Sequence, residues 1–185
     1  MGEKMIRAIS VVSVCCLIIA LSGCMGFKAF WDMDADLIEA GYKNADALIA
    51  RTTPPLVFDQ AIIVASFVSI NELEESSTFG RTISEYIISR LAQRGYKVIE
   101  MKFRKSVFMQ KKGGEFMLSR ELKEVSTEHN VQVVVVGTYS LARDVVYISS
   151  SIINPSDSTI RATYDYAIPL GANTARMLQN DQKTK

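Results

Sequence analysis

The stretch VQVVVVGTY, residues 131–139, limits the folds open to this chain more than any other. Its valines fall on both faces of an extended strand, so it needs packing above and below. Such a strand belongs in the middle of a sheet. The segments around it predict what covers it. Residues 36–51 place Ile38, Tyr42, Ala45 and Ile49 along one helical face, with Asp34 or Asp36 available as N-cap. Pro54 and Pro55 end that helix and lead into AIIVASFVS, residues 61–69, a short buried strand. After a polar loop over 71–78, Phe79, Ile83, Ile87 and Leu91 recur every fourth residue, and Gly95 stands where a helix C-cap belongs. YKVIEMKF, residues 96–103, follows as a strand, so strand, helix and strand with short joins predict a parallel βαβ unit with a right-handed crossover.

The remainder predicts shorter elements. Gly113-Gly114 between apolar stretches at 107–109 and 116–118 suits a hairpin turn, with Phe116 and Leu118 facing the core. Ser119 can cap a helix over 120–129 that buries Leu122 and Val125. Residues 145–153 and 159–168 flank NPSDS, an antiparallel hairpin with Pro155 and Asp157 as turn formers. Its buried face carries Ile160, Ala162, Tyr164, Tyr166 and Ile168. Residues 171–185 show no core pattern and read as a polar tail. The expected fold class is α/β (α+β), in two or three layers: a mixed sheet with a βαβ unit, a C-terminal antiparallel meander and two to three packed helices, in a single domain over 34–170.

The N-terminus speaks to location. After Lys4 and Arg7, the 14 uncharged residues 8–21, AISVVSVCCLIIAL, are too few to cross roughly 30 Å of hydrocarbon as a helix. They form the apolar region of a signal peptide, which a start at Met5 would preserve. It ends in Leu21-Ser22-Gly23-Cys24, which resembles the lipobox of bacterial lipoproteins; the plainer alternative is a secretory signal with a cysteine nearby. The lipobox reading makes 1–23 a cleaved lipoprotein signal peptide and 24–33 a lipidated tether. Cys15 and Cys16 leave with the signal, so the mature chain holds one thiol, Cys24, which is acylated, and no disulfide. At roughly 0.8 kcal/mol per buried methylene, the two or three chains of such an anchor hold a bilayer durably where one chain does not. By the sorting rule this resemblance implies, Met25 after the cysteine favours the outer membrane, with the domain facing the periplasm.

Charge and motifs argue against other classes. With 21 basic and 20 acidic residues spread along the chain, nothing forms a footprint for nucleic acid. Gly113, Gly114, Glu115 and Phe116 look like a clipped diguanylate cyclase turn, but one acid is missing, so the carboxylate pair for metal is incomplete. The one histidine, His129, ends a helix, where it meets the macrodipole, and no nucleophile or ligand spacing accompanies it. Gly80 and Arg81 at a helix start suit either an anion or partner contact, or a tight turn with a solvated arginine; Arg120 after Ser119 has the same two readings. Glu74-Glu75 reads as a solvated loop. No metal, no cofactor and no catalysis are expected.

Several fragments in order carry a family resemblance: ASF, LEESSTFGRTISE, LAQRGYKVIE, GGEFMLSRE, VVVVGTYS and YAIP. Together they resemble the FlgO domain of bacterial outer-membrane lipoproteins. The resemblance implies a non-catalytic accessory of the flagellar basal body, needed for anchoring and motility. Its partners would be the membrane through acylated Cys24 and flagellar or other envelope proteins, with a homo-oligomeric ring an open arrangement. A lipoprotein that binds and regulates a cell-envelope enzyme or secretion machine is the alternative.

Overall fold

The computed structural model describes residues 34–73, 76–99, 108–110, 116–118 and 120–179. Along these the chain runs α1 (Leu37–Arg51), β1 (Ala61–Val64), β2 (Val68–Ser69), α2 (Thr78–Gln93), β3 (Val98–Ile99), β4 (Phe108–Gln110), β5 (Phe116–Leu118), α3 (Arg120–Glu128), β6 (Val131–Leu141), β7 (Val145–Ile153), β8 (Ile160–Pro169) and α4 (Ala172–Gln179). The main sheet is mixed, in the order β3-β1-β6-β7-β8, with β2 also paired to β6. Strands β3, β1 and β6 are parallel, and β6, β7 and β8 form the antiparallel meander. The parallel β1–α2–β3 unit is the one the spacing predicts.

Both faces of β6 are covered, as its valines require. Val133, Val135 and Tyr139 join the core beneath α1 and α2, whose ladder of Phe79, Ile83, Ile87 and Leu91 is fully buried. Val134 and Val136 face the other way and pack with Leu122 and Val125 of α3. Gly95 sits at φ +87°, a conformation that suits glycine as a helix stop. Ser77 caps the start of α2, accepting from the Gly80 amide at 3.0 Å.

Four expectations need correction or narrowing. The buried stripe of α1 is Leu37, Gly41, Asn44, Ala45 and Leu48, with Ile38 turned to solvent. Gly41 decides this rotation: a Cβ there would lie 2.5 Å from Cβ of Tyr86, so only glycine lets α2 come so close. The run 61–69 is two strands, because Phe67 leaves the ladder and its amide meets α2, 3.1 Å from Ser84 Oγ and 3.3 Å from the Gly80 carbonyl. Ile160 is exposed at the start of β8. Residues 172–179 of the expected tail are helix α4, with Thr174 buried and Met177 and Leu178 packed on the core, so the domain runs past 170 and has four helices among the described residues. Finally β4 and β5 pair antiparallel, as the glycine hairpin predicts, while Gly113, Gly114, Glu115 and Ser119 lie outside the described residues.

Strand directions give the domain two ends. Asp34, the starts of α1 and α2, the β6–β7 turn and the end of β8 share one. Residues 52–60, Gly95-Tyr96, and the starts of β1, β6 and β8 share the other, about 22 Å away along the fifteen residues of α1.

Candidate functional site

At the first end Asp34 holds the C-terminal helix. Its carboxylate accepts from the amide of Asn173 at 2.6 Å and from the amide and hydroxyl of Thr174 at 3.2 and 2.9 Å. These are the free amides of the first turn of α4, so Asp34 acts as an N-cap supplied from 140 residues away. Gly171 makes the room, since a Cβ there would stand 2.5 Å from Asp34. Burial pushes the Asp34 carboxyl up, but the Asn173 and Thr174 bonds outweigh it and leave it below the ordinary carboxylate value. The Leu170 amide, bonded to the Asp144 carbonyl at 2.9 Å, ties the same corner to the β6–β7 turn. An open groove of about 490 Å³ lies along the sheet face from Ile70 across β6, β7 and β8, with Thr138, Ser140, Tyr147 and Asp165 on its walls.

At the opposite end a bulge does the equivalent work. Ala61 pairs with Val131 and Ile62 with Val133, so Gln132 is the extra residue of β6 and leaves the ladder. Its side-chain amide turns to the loop before β1, accepting from the Val57 amide at 2.9 Å and donating to the carbonyls of Val57 at 2.6 Å and Gln60 at 2.9 Å. The loop thus held carries Val57 and Phe58 outward; Phe58 is 60% exposed and stacks on Tyr96 at 4.7 Å. Arg161 of β8 donates to the Pro54 carbonyl beside it.

Between the ends, two polar clusters fix α1. Asp46 takes Arg90 of α2 at 2.7 Å and Arg94 at 2.8 Å, and these two bonds, Arg90's first, hold its carboxyl at about 2. Inside, Asn44, Ser150 and Tyr166 join α1 to the meander. The Ser150 hydroxyl lies 2.9 Å from both Asn44 Oδ1 and the Tyr164 carbonyl but has one proton to give. Asn44 Nδ2 donates to the Tyr166 hydroxyl at 3.2 Å, and Asn44 Oδ1 and the Tyr164 carbonyl share the Ser150 proton. Burial pushes the Tyr166 phenol up to about 12.

The residues singled out from sequence fall as follows. Gly80 is pressed against the Phe67 backbone and its amide is taken by Ser77. Arg81 turns back on its own loop, donating to the Ser76 carbonyl and to Thr78 Oγ1 at 3.0 Å. Both residues thus contribute to the helix start itself. His129 is exposed at the end of α3, with its amide on the Val125 carbonyl at 3.0 Å. Arg120 begins α3, which packs on the opposite face of the sheet from α2. Leu21, Ser22, Gly23 and Cys24 lie outside the described residues. Among the described residues, no group of three or more His, Cys, Asp or Glu is placed to hold a metal ion, and no helix is long and apolar enough to cross a membrane. Asp46 and Gln132 had no motif to announce them; of the two cap candidates for α1, Asp36 caps it, accepting from the Glu39 amide at 2.9 Å, and Asp34 caps α4 instead.

What these features define is an α+β domain whose two ends are stiffened by long-range polar clamps and carry exposed apolar side chains. The profile of the FlgO protein family matches residues 42–173, more than half of the chain, and the chain belongs to that family. Two solved structures share the fold. The C-terminal domain of LpoB from Salmonella enterica superposes with a TM-score of 0.54 at 10% identity, covering 74% of this chain and 100% of that one. The same domain from Escherichia coli gives 0.50 at 12% identity, covering 72% and 98%. No curated protein matches the sequence.

Proposed function

We propose that this chain is an outer-membrane lipoprotein, acylated at Cys24, that serves the flagellum without catalysis, by binding other envelope proteins. Membership of the FlgO family carries the reading. The Leu21-Ser22-Gly23-Cys24 motif supports the anchor, and Met25 supports the outer membrane. The Phe58 end suits a partner contact, because Gln132 holds Val57 and Phe58 in one exposed arrangement and little ordering cost remains for binding. Deleting the gene should reduce swimming, and a Cys24→Ser copy should not restore it. Normal swimming with intact filaments after deletion would sink the flagellar role, and an unmodified Cys24 in the mass of the mature protein would sink the anchor. The second reading, regulation of an envelope enzyme or secretion machine, rests on the same Phe58 surface. It predicts altered cell wall or secretion with swimming unchanged.

A further inference from the structure

The exposed large apolar side chains of the described residues stand at the two ends of the domain: Ile38, Ile70, Leu141 and Tyr147 around Asp34, and Val57, Phe58 and Ile160 opposite. We infer that the Asp34 end is a bilayer-docking surface on which the domain stands, with Ile70, Leu141 and Tyr147 seated in the headgroup–acyl boundary and the Phe58 end directed outward. This rests on the Cys24 anchor proposed above.

Three observations select lipid as the occupant. The chain enters the folded domain at Asp34, ten residues after Cys24, and ten residues span at most roughly 35 Å when fully extended. The anchor therefore keeps the Asp34 end within roughly 35 Å of the bilayer, so docking there costs little further translational freedom. Second, apolar groups from separate elements reach this end: Ile70 and Tyr147 line one groove, and Leu141 closes β6 on the other face of the sheet, paired to Val146. Leu141 (58% exposed) ends β6, Tyr147 (55%) starts β7, and Ile70 (53%) hangs from β6 through its amide on the Tyr139 carbonyl at 2.9 Å. Tyr147 has the amphipathic ring suited to an interface, and the groove between it and Ile70 offers the hydroxyls of Thr138 and Ser140 to headgroup oxygens. Third, the Leu170 amide on the Asp144 carbonyl ties the β6–β7 turn, between Leu141 and Tyr147, to the end of β8. Charge does not drive it: at this end Arg81 and Arg143 are outnumbered by Asp34, Asp36, Glu72, Asp144 and Asp165. Zwitterionic lipid suffices, and added salt should not detach the surface.

The experiment uses the full-length acylated protein in vesicles of phosphatidylethanolamine and phosphatidylcholine, with Leu141→Cys, Tyr147→Cys or Phe58→Cys carrying an environment-sensitive fluorophore on the one free thiol. Flotation with the vesicles reports the anchor; quenching by lipids brominated in the acyl chain reports docking. Labels at 141 and 147 should lie roughly 5–10 Å into the boundary and lose their emission to brominated lipid, at low and high salt alike, while the label at 58 keeps its own. Each of the two docking labels reads the surface independently, so a misfolded variant leaves the other. A protein that floats with both labels unquenched overturns the inference and leaves the anchor standing; one that does not float overturns both. Labels that stay wet in vesicles but are shielded in native envelopes assign this end to a partner protein or a second copy, which also overturns it.

Discussion

Each end of this domain carries exposed apolar side chains and one polar side chain that reaches across the sequence, yet the two clamps differ in kind. Gln132 is 9% exposed and neutral, and it replaces water for three backbone groups of the loop at 57–60. Asp34 is half-buried and charged, and it caps a helix that lies 140 residues away. A buried amide has no solvent to fall back on when its partners go, so its removal strands them; a half-wet carboxylate can return to water. The same contrast makes one clamp indifferent to pH and the other sensitive to it. The Phe58 end is thus the steadier surface, and the Asp34 end the adjustable one.

The largest effect should come from breaking the Asp34 end from inside, at the joint of Phe67, Gly80 and Gly137. A Cβ on Gly80 would run into the Phe67 carbonyl, and backbone gives way less than a side chain. Gly80→Ala should cost about 3 kcal/mol, the upper part of the range for overpacked cores, read as a lower urea midpoint of the detergent-solubilised protein. An unchanged midpoint would show that β2 and α2 slide apart freely. Next comes Gln132→Ala, which orphans the Val57 amide and the Val57 and Gln60 carbonyls for about 1–3 kcal/mol, softened where water enters. Hydrogen exchange separates the ends here: the Val57 amide should lose protection while the Asn173 and Thr174 amides keep theirs. Equal loosening at both ends would mean the clamps act as one.

Why one end was easier to foresee than the other follows from the residues. The β6 run, the α2 ladder with Gly95 and the NPSDS hairpin were legible because each is a local pattern of side chains that do what their type prefers. The face of α1 was not, since Asn44 is buried by bonds to residues more than a hundred positions away and Gly41 is chosen for what it omits. Helix α4 hid for a related reason: its cap is Asp34, far off in the chain, and its first residue follows a glycine that looks like a loop. Gln132 reads as one polar residue in an apolar strand, and only the bulge explains it. Of the candidate site residues, Gly80 and Arg81 were legible as a helix start, but the chemistry of that start is fixed by Ser77 and Ser76, which no motif ranks above them.

The smallest effect, and the sharpest test of the comparison, is acid. The Asp34 carboxyl is held below its ordinary value in the fold, so it binds fewer protons folded than unfolded. Its contribution is then fully present above the unfolded value, near pH 4, and is lost as pH falls through the folded one. Going from about pH 6 to about pH 3 should therefore lower the protection factors of the Asn173 and Thr174 amides, while the Val57 amide, bonded to neutral Gln132, keeps its own. Asp46 does not confuse the result, because Arg90 and Arg94 hold it at about 2 and the link between α1 and α2 survives the same step. Asp34→Asn keeps an acceptor for one donor but loses the charge at the helix start, so it should cost about 0.5–1 kcal/mol at neutral pH and flatten the acid response. An acid response that persists unchanged in Asp34→Asn would assign the sensitivity to another carboxylate and leave the two ends alike in pH; a response shared by Val57 would do the same from the other side.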